Sequence, residues 1–126
     1  DHAATAPLPP AVADARENAA RNGIENVEFF CGDAAAVAAQ LEREGLRPDV
    51  VTVDPPRKGL ASDTAASIAG MGPDRVVYVS CDPATLGRDV KIFAGFGYRA
   101  DRACAVDMFP ATRHVETIVL LQRGNS

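Results

Sequence analysis

The chain has 126 residues, 47% hydrophobic and 24% charged, the balance of a globular protein of one domain at most. A net charge of −4 and a pI of about 5.1 exclude a basic nucleic-acid-binding module, so an RNA partner would need another domain to neutralise most of its phosphates. The three cysteines, Cys31, Cys81 and Cys104, lie singly with neither zinc spacing nor an even count for disulfides, which fits a reducing cytoplasm, and no apolar run is long enough to span a membrane.

Residues 1–9, DHAATAPLP, have linker composition. From Pro10 to Asn22 the spacing of Val12, Ala15 and Ala19 predicts a helix, stopped by Asn22-Gly23. Val27 to Phe30 reads as a short strand ending at Cys31-Gly32-Asp33. Asp33 is placed to cap a helix through about Glu44, with Val37 and Leu41 inward and Gly45 ending it. Asp49 to Asp54 reads as a buried strand, stopped by Pro55-Pro56, and residues 63–70 as a short, weakly patterned helix.

Arg75 to Ser80 is a continuous β-branched and aromatic run, the pattern of a strand covered on both faces. Asp82 suits an N-cap and Pro83 the first helical position. Cys81 therefore lies where a strand's carboxyl end meets a helix's amino end, the usual place for ligands in an open α/β sheet. The helix dipole there favours a thiolate. The helix runs to about Ala94, with Leu86, Val90 and Phe93 inward. Phe96 to Val106 is a strand with a break expected near Asp101, residues 107–110 are a loop, and His114 to Leu121 is the last strand. Strands alternate with helices until two strands follow with no helix between. The expected fold is therefore α/β, mostly parallel and closed by an antiparallel hairpin.

Three motifs occur in order: DPPRKG at 54–59, SCDPATLGRD at 80–89 and DMFPATRHVET at 107–117. Together they resemble the S-adenosylmethionine-dependent RNA uracil-5-methyltransferases, which act on tRNA or rRNA; the third motif is nearer the rRNA branch. The resemblance covers nearly all of the chain from about residue 11. It implies the C-terminal part, residues 10–126, of a catalytic domain with a Rossmann-like methyltransferase sheet, mostly parallel, with an antiparallel last strand. Uracil C5 is a poor nucleophile, and a thiolate added at C6 makes it an enolate carbon that can accept a methyl group. A base must then remove the C5 proton. By resemblance Cys81 is the nucleophile and Glu116 the base. Asp54 matches an acid of the cofactor site, and Asp33 stands where this class contacts the adenine or ribose side. Arg57 and His114 are helpers for the uracil or a phosphate. The target base would have to be flipped out of its RNA context.

Each residue also has a simpler reading. Cys31 and Cys104 are expected as small buried hydrophobes. Asp33 could be an N-cap alone, and Asp54 a turn residue. Lys58, Arg88 and Lys91 read as solvated surface, and Pro55-Pro56 as a strand stop or a floor under a planar base. Glu116 sits among apolar residues, where carboxylates seldom lack a role or partner. An amino-group methyltransferase with a D-P-P-Y motif is a further reading, but Arg57 stands in place of the aromatic residue.

The sequence departs from the family at its start. It has no glycine-rich strand–turn for the cofactor, and Ala6-Pro7-Leu8-Pro9-Pro10 occupies the place of the ribose-binding acid. The sheet is therefore expected to lack its first two strands. Val27–Phe30 would then pair with 49–54, pair with another chain, or remain an exposed edge. Marginal stability or association is the expected consequence, and the alternative to an active enzyme is a fragment that cannot hold the cofactor by itself.

Overall fold

A computed structural model describes residues 10–30, 32–107 and 115–124. The linker at 1–9, Cys31 and His114 lie outside them. The chain divides into two compact units, Asp1–Asp33 and Ala34–Ser126.

The first unit holds helix α1, Pro10–Arg21. The Glu17–Arg21 pair at 2.6 Å spans one turn of it. The Ile24 N–H donates to the Ala19 carbonyl at 2.9 Å, closing the helix where Asn22-Gly23 predicted a stop. Val27–Phe30 carries no strand, a correction to the expectation. A strand needs a neighbour for its N–H and C=O groups. Among the described residues none pairs with these, and Val27 and Phe30 are 41% and 42% exposed.

The second unit contains helices α2 (Ala34–Arg43), α3 (Ser62–Gly70) and α4 (Pro83–Gly95), and strands β1 (Val50–Val53), β2 (Arg75–Ser80), β3 (Tyr98–Asp107) and β4 (Val115–Arg123). The sheet order is β1-β2-β4-β3. β1 and β2 are parallel, and β4 is antiparallel to both β2 and β3. β3 thus leaves a gap beside β2, and the returning β4 fills it. The register of β3 shifts between Ala100 and Arg102, at the expected break.

Side chains alternate across each strand. Val76 and Tyr78 of β2 and Val119 and Leu121 of β4 point to one face and are buried there with Ala65 and Ile68 of α3, Met71 just beyond it and Phe93 of α4. α3, weakly patterned in sequence, buries Thr64, Ala65, Ser67 and Ile68. Leu86 and Val90 of α4 and Leu41 of α2 pack around this core. Phe93 and Tyr98 meet edge to face with centroids 6.1 Å apart.

The opposite face is more open. Val77 and Val79 are only half-buried, Ile118 is 36% exposed and Val50 is 48% exposed. β2 is therefore covered fully on one side, not on both. Cys104 pairs with Ile118 on this open face and is exposed, so the expectation of a buried cysteine is corrected. Its place on an edge strand, facing away from α2, α3 and α4, is the physical reason.

Candidate active site

The carboxyl ends of β1 and β2 and the amino end of β4 lie at one end of the sheet. Cys81 is the first residue beyond β2, exposed and with a free thiol. The turn that carries it is tied on both sides. The Ser80 Oγ donates to the Asp82 carbonyl at 2.9 Å and accepts the Asp82 N–H at 3.1 Å. Asp82 then caps α4 in extended conformation, its carboxylate accepting the Ala84 N–H at 2.9 Å, with Pro83 at the first helical position. Cys81 thus stands at the positive end of the α4 dipole, as the sequence predicts.

Glu116 approaches from the other chain direction. Ser80 pairs with Thr117, the last rung between β2 and β4, so the next residues beyond it along the two strands are Cys81 and Glu116. Glu116 is half-buried, and among the described residues its Oε2 is a buried carboxylate oxygen with no hydrogen-bond partner. Such an oxygen gains free energy from any donor brought to it.

Asp54 follows β1 directly and is exposed. Val53 pairs with Tyr78, so Asp54 is level with Val79, two residues short of Cys81. Continuing the strand alternation puts Asp54, Cys81 and Glu116 on the open face, with Thr52, Val79 and Ile118. Pro55 is buried and Pro56 exposed. A tight turn then follows, with the Gly59 N–H donating to the Pro56 carbonyl at 2.8 Å, and it exposes Arg57 and Lys58. Asp33 is exposed and belongs to the first unit; it immediately precedes α2 in sequence.

Sequence reasoning missed Asp89. It is fully buried on α4. It accepts the Tyr78 hydroxyl, the Leu60 N–H at 2.9 Å and the Arg88 Nε–H at 3.1 Å. Burial first, and then Asp89, push the Tyr78 phenol well above its ordinary range, because both disfavour the phenolate. Arg88 is not merely solvated, as expected, since its Nη2 donates to the Lys58 carbonyl at 2.6 Å. A signal was present in the sequence. Asp89 is three residues after Leu86 and four before Phe93, on the inward stripe of the helix.

The model of the family described as tRNA (Uracil-5-)-methyltransferase matches residues 3–124. An uncharacterized RNA methyltransferase of Clostridium acetobutylicum is 50% identical over 116 residues, which are 92% of this chain and 25% of that protein. One of Halalkalibacterium halodurans is 47% identical over 118 residues, 94% of this chain and 26% of that protein. This chain thus spans about a quarter of the length of these curated relatives. Among solved structures, the Pyrococcus abyssi tRNA (uracil-54, C5)-methyltransferase in complex with S-adenosyl-L-homocysteine superposes with a TM-score of 0.71 and 37% identity. The match covers 88% of this chain and 26% of that one. With a family model spanning nearly its whole length, the chain belongs to the tRNA (uracil-5-)-methyltransferase family.

Proposed function

We propose that residues 10–126 form the C-terminal part of the catalytic domain of a cytoplasmic RNA uracil-5-methyltransferase that modifies a uridine of tRNA or rRNA. The observation that carries this reading is the β2–β4 register, which sets an exposed thiol and a half-buried carboxylate on successive positions at the same end of the sheet.

Cys81 adds as thiolate to uracil C6, moving the C5=C6 electron pair into an enolate that is nucleophilic at C5. S-adenosylmethionine supplies, when bound, a methyl group on a sulfonium centre for that carbon. Glu116 then removes the C5 proton. The released pair restores C5=C6 as the C6–S bond breaks, freeing Cys81 and leaving 5-methyluracil. The partnerless Oε2 of Glu116 suits this role, since it is an acceptor with no competing donor among the described residues.

Asp54 fits the cofactor side. Its carboxylate is exposed at a strand's carboxyl end on the same face as Cys81, free to accept from hydroxyl or amino groups of the ligand. Asp33 is assigned to the adenine or ribose side by resemblance. Arg57, exposed on the turn after Asp54, suits a phosphate or the uracil edge. RNA affinity would need cations from elsewhere, because this chain carries net charge −4.

RNA containing 5-fluorouridine tests the reading. Fluorine at C5 cannot leave as a proton, so a covalent adduct on Cys81 persists with the cofactor present, and Cys81→Ala forms none. An adduct that survives in Cys81→Ala would sink the assignment. A second reading is favoured by the chain's quarter-length coverage of its relatives: a fragment of such an enzyme, unable to hold the cofactor alone. Calorimetric titration with S-adenosylmethionine separates the two, since absence of heat leaves only the fragment.

A further inference from the structure

The turn after Asp54 is seated on an ion pair between the buried Asp89 carboxylate and the half-exposed Arg88 guanidinium. One oxygen of Asp89, Oδ2, takes both the Leu60 N–H at 2.9 Å and the Tyr78 hydroxyl. The other, Oδ1, takes the Arg88 Nε–H at 3.1 Å, and Arg88 Nη2 passes on to the Lys58 carbonyl at 2.6 Å. Carboxylate and guanidinium thus grip the backbone on either side of Gly59. A Cβ added at Gly59 would lie 2.5 Å from Arg88 Nη2 and 2.5 Å from Asp89 Oδ2, and Gly59 itself has φ +82°. The turn has no room for a side chain and needs a conformation that other residues avoid.

The same carboxylate is bonded to β2 three residues before Cys81, since Tyr78 is its hydroxyl donor. One side chain therefore joins the strand that presents the thiol to the turn that follows Asp54 and carries Arg57. An apolar side chain would fill the same buried space, but it would leave the Leu60 N–H and the Tyr78 hydroxyl without this acceptor. What a carboxylate adds is direction: it fixes the positions of specific donors.

We propose that Asp89, with Arg88, is a positioning pair that sets the 56–60 turn and through it Asp54 and Arg57 relative to Cys81. This rests on the reading of Asp54 as a cofactor-side residue. Neither Asp89 nor Arg88 need touch the substrate.

The test is amide hydrogen exchange and S-adenosylhomocysteine titration on the 126-residue chain, comparing the parent, Asp89→Asn, Arg88→Lys and Asp54→Ala. In Asp89→Asn the Leu60 amide exchanges roughly tenfold faster or more, while Val77 and Leu121 in the ladder keep their protection. Arg88→Lys, which keeps the charge and loses the fork, gives a smaller local rise and serves in its place if Asp89→Asn does not fold. S-adenosylhomocysteine affinity falls in Asp89→Asn in the same direction as in Asp54→Ala. Unchanged Leu60 exchange overturns the proposal. So does a rise shared equally by Val77 and Leu121, which would make Asp89 a general stabiliser. If affinity falls in Asp54→Ala but not in Asp89→Asn, the positioning role fails and the cofactor reading stands. If Asp54→Ala binds as the parent does while Leu60 alone loses protection, the cofactor reading fails and the fixing of the turn by Asp89 stands; if the parent takes up none, the chain is the fragment described above and the Leu60 exchange alone decides the fixing of the turn.

Discussion

Ser80 pairs with Thr117 on the last rung between β2 and β4, and the chain positions one step beyond that rung are Cys81 and Glu116. Two residues 35 positions apart in sequence are thereby brought together by an antiparallel register, with no loop contact required. The register is itself fixed by burial. Slipping β4 by one residue would turn Val119 and Leu121 out of the core and bring Ile118 and Leu120 in.

The roles proposed for the two residues separate in a turnover assay. In an active enzyme bearing this chain, Glu116→Gln should keep C6 addition and lose proton removal. Turnover falls by about 10²–10⁴, and a covalent RNA adduct accumulates on denaturing gels with ordinary uridine RNA. Cys81→Ala should abolish both product and adduct. A Glu116→Gln enzyme with full turnover would remove Glu116 from the mechanism.

Alkaline pH should weaken the fold. The chain's two tyrosines, Tyr78 and Tyr98, are both held above the ordinary value of about 10, chiefly by burial, with the Asp89 bond adding to the effect at Tyr78. Above that pH the unfolded chain releases phenol protons that the folded chain retains, so stability is full below pH ~10 and falls as pH rises further. Ultraviolet titration should show tyrosinate appearing together with unfolding. Ionisation of the still-folded protein near pH 10 would contradict it.

Phe93 fills the centre of the core and is fully buried against Tyr98. Phe93→Ala should cost about 3–5 kcal/mol by transfer and cavity terms, enough to unfold a domain of this size or nearly so. Urea unfolding measures it. A loss under about 1 kcal/mol would mean that the site collapses around the gap.

Among the described residues β1 is an edge strand, with β2 on one side only, and its Val50 and Thr52 are exposed. A free edge of this kind recruits other strands unless it is charged or covered. The unfolding midpoint of the chain should therefore rise with protein concentration, and Thr52→Lys should remove that dependence. A midpoint that is independent of concentration in the parent chain would show that the edge stays unpaired.

The sequence by itself determined most of the local elements and supplied the candidate site residues. Caps, prolines and apolar spacing act within a few residues, so Pro83, Asp82 and the run Arg75–Ser80 specify a strand, a turn and a helix without reference to the rest of the chain. The break in β3 near Asp101 and the antiparallel return of β4 were legible for the same reason. Three things were decided only in the tertiary structure. Val27–Phe30 has strand composition but no strand, because pairing requires a neighbour that composition cannot supply. Cys104 is exposed because α2, α3 and α4 pack on the other face of the sheet. Asp89 is buried where the Leu60 amide and the Tyr78 hydroxyl converge on it from two other segments, beside the guanidinium of its neighbour Arg88, and convergence of that kind appears only when the chain is folded.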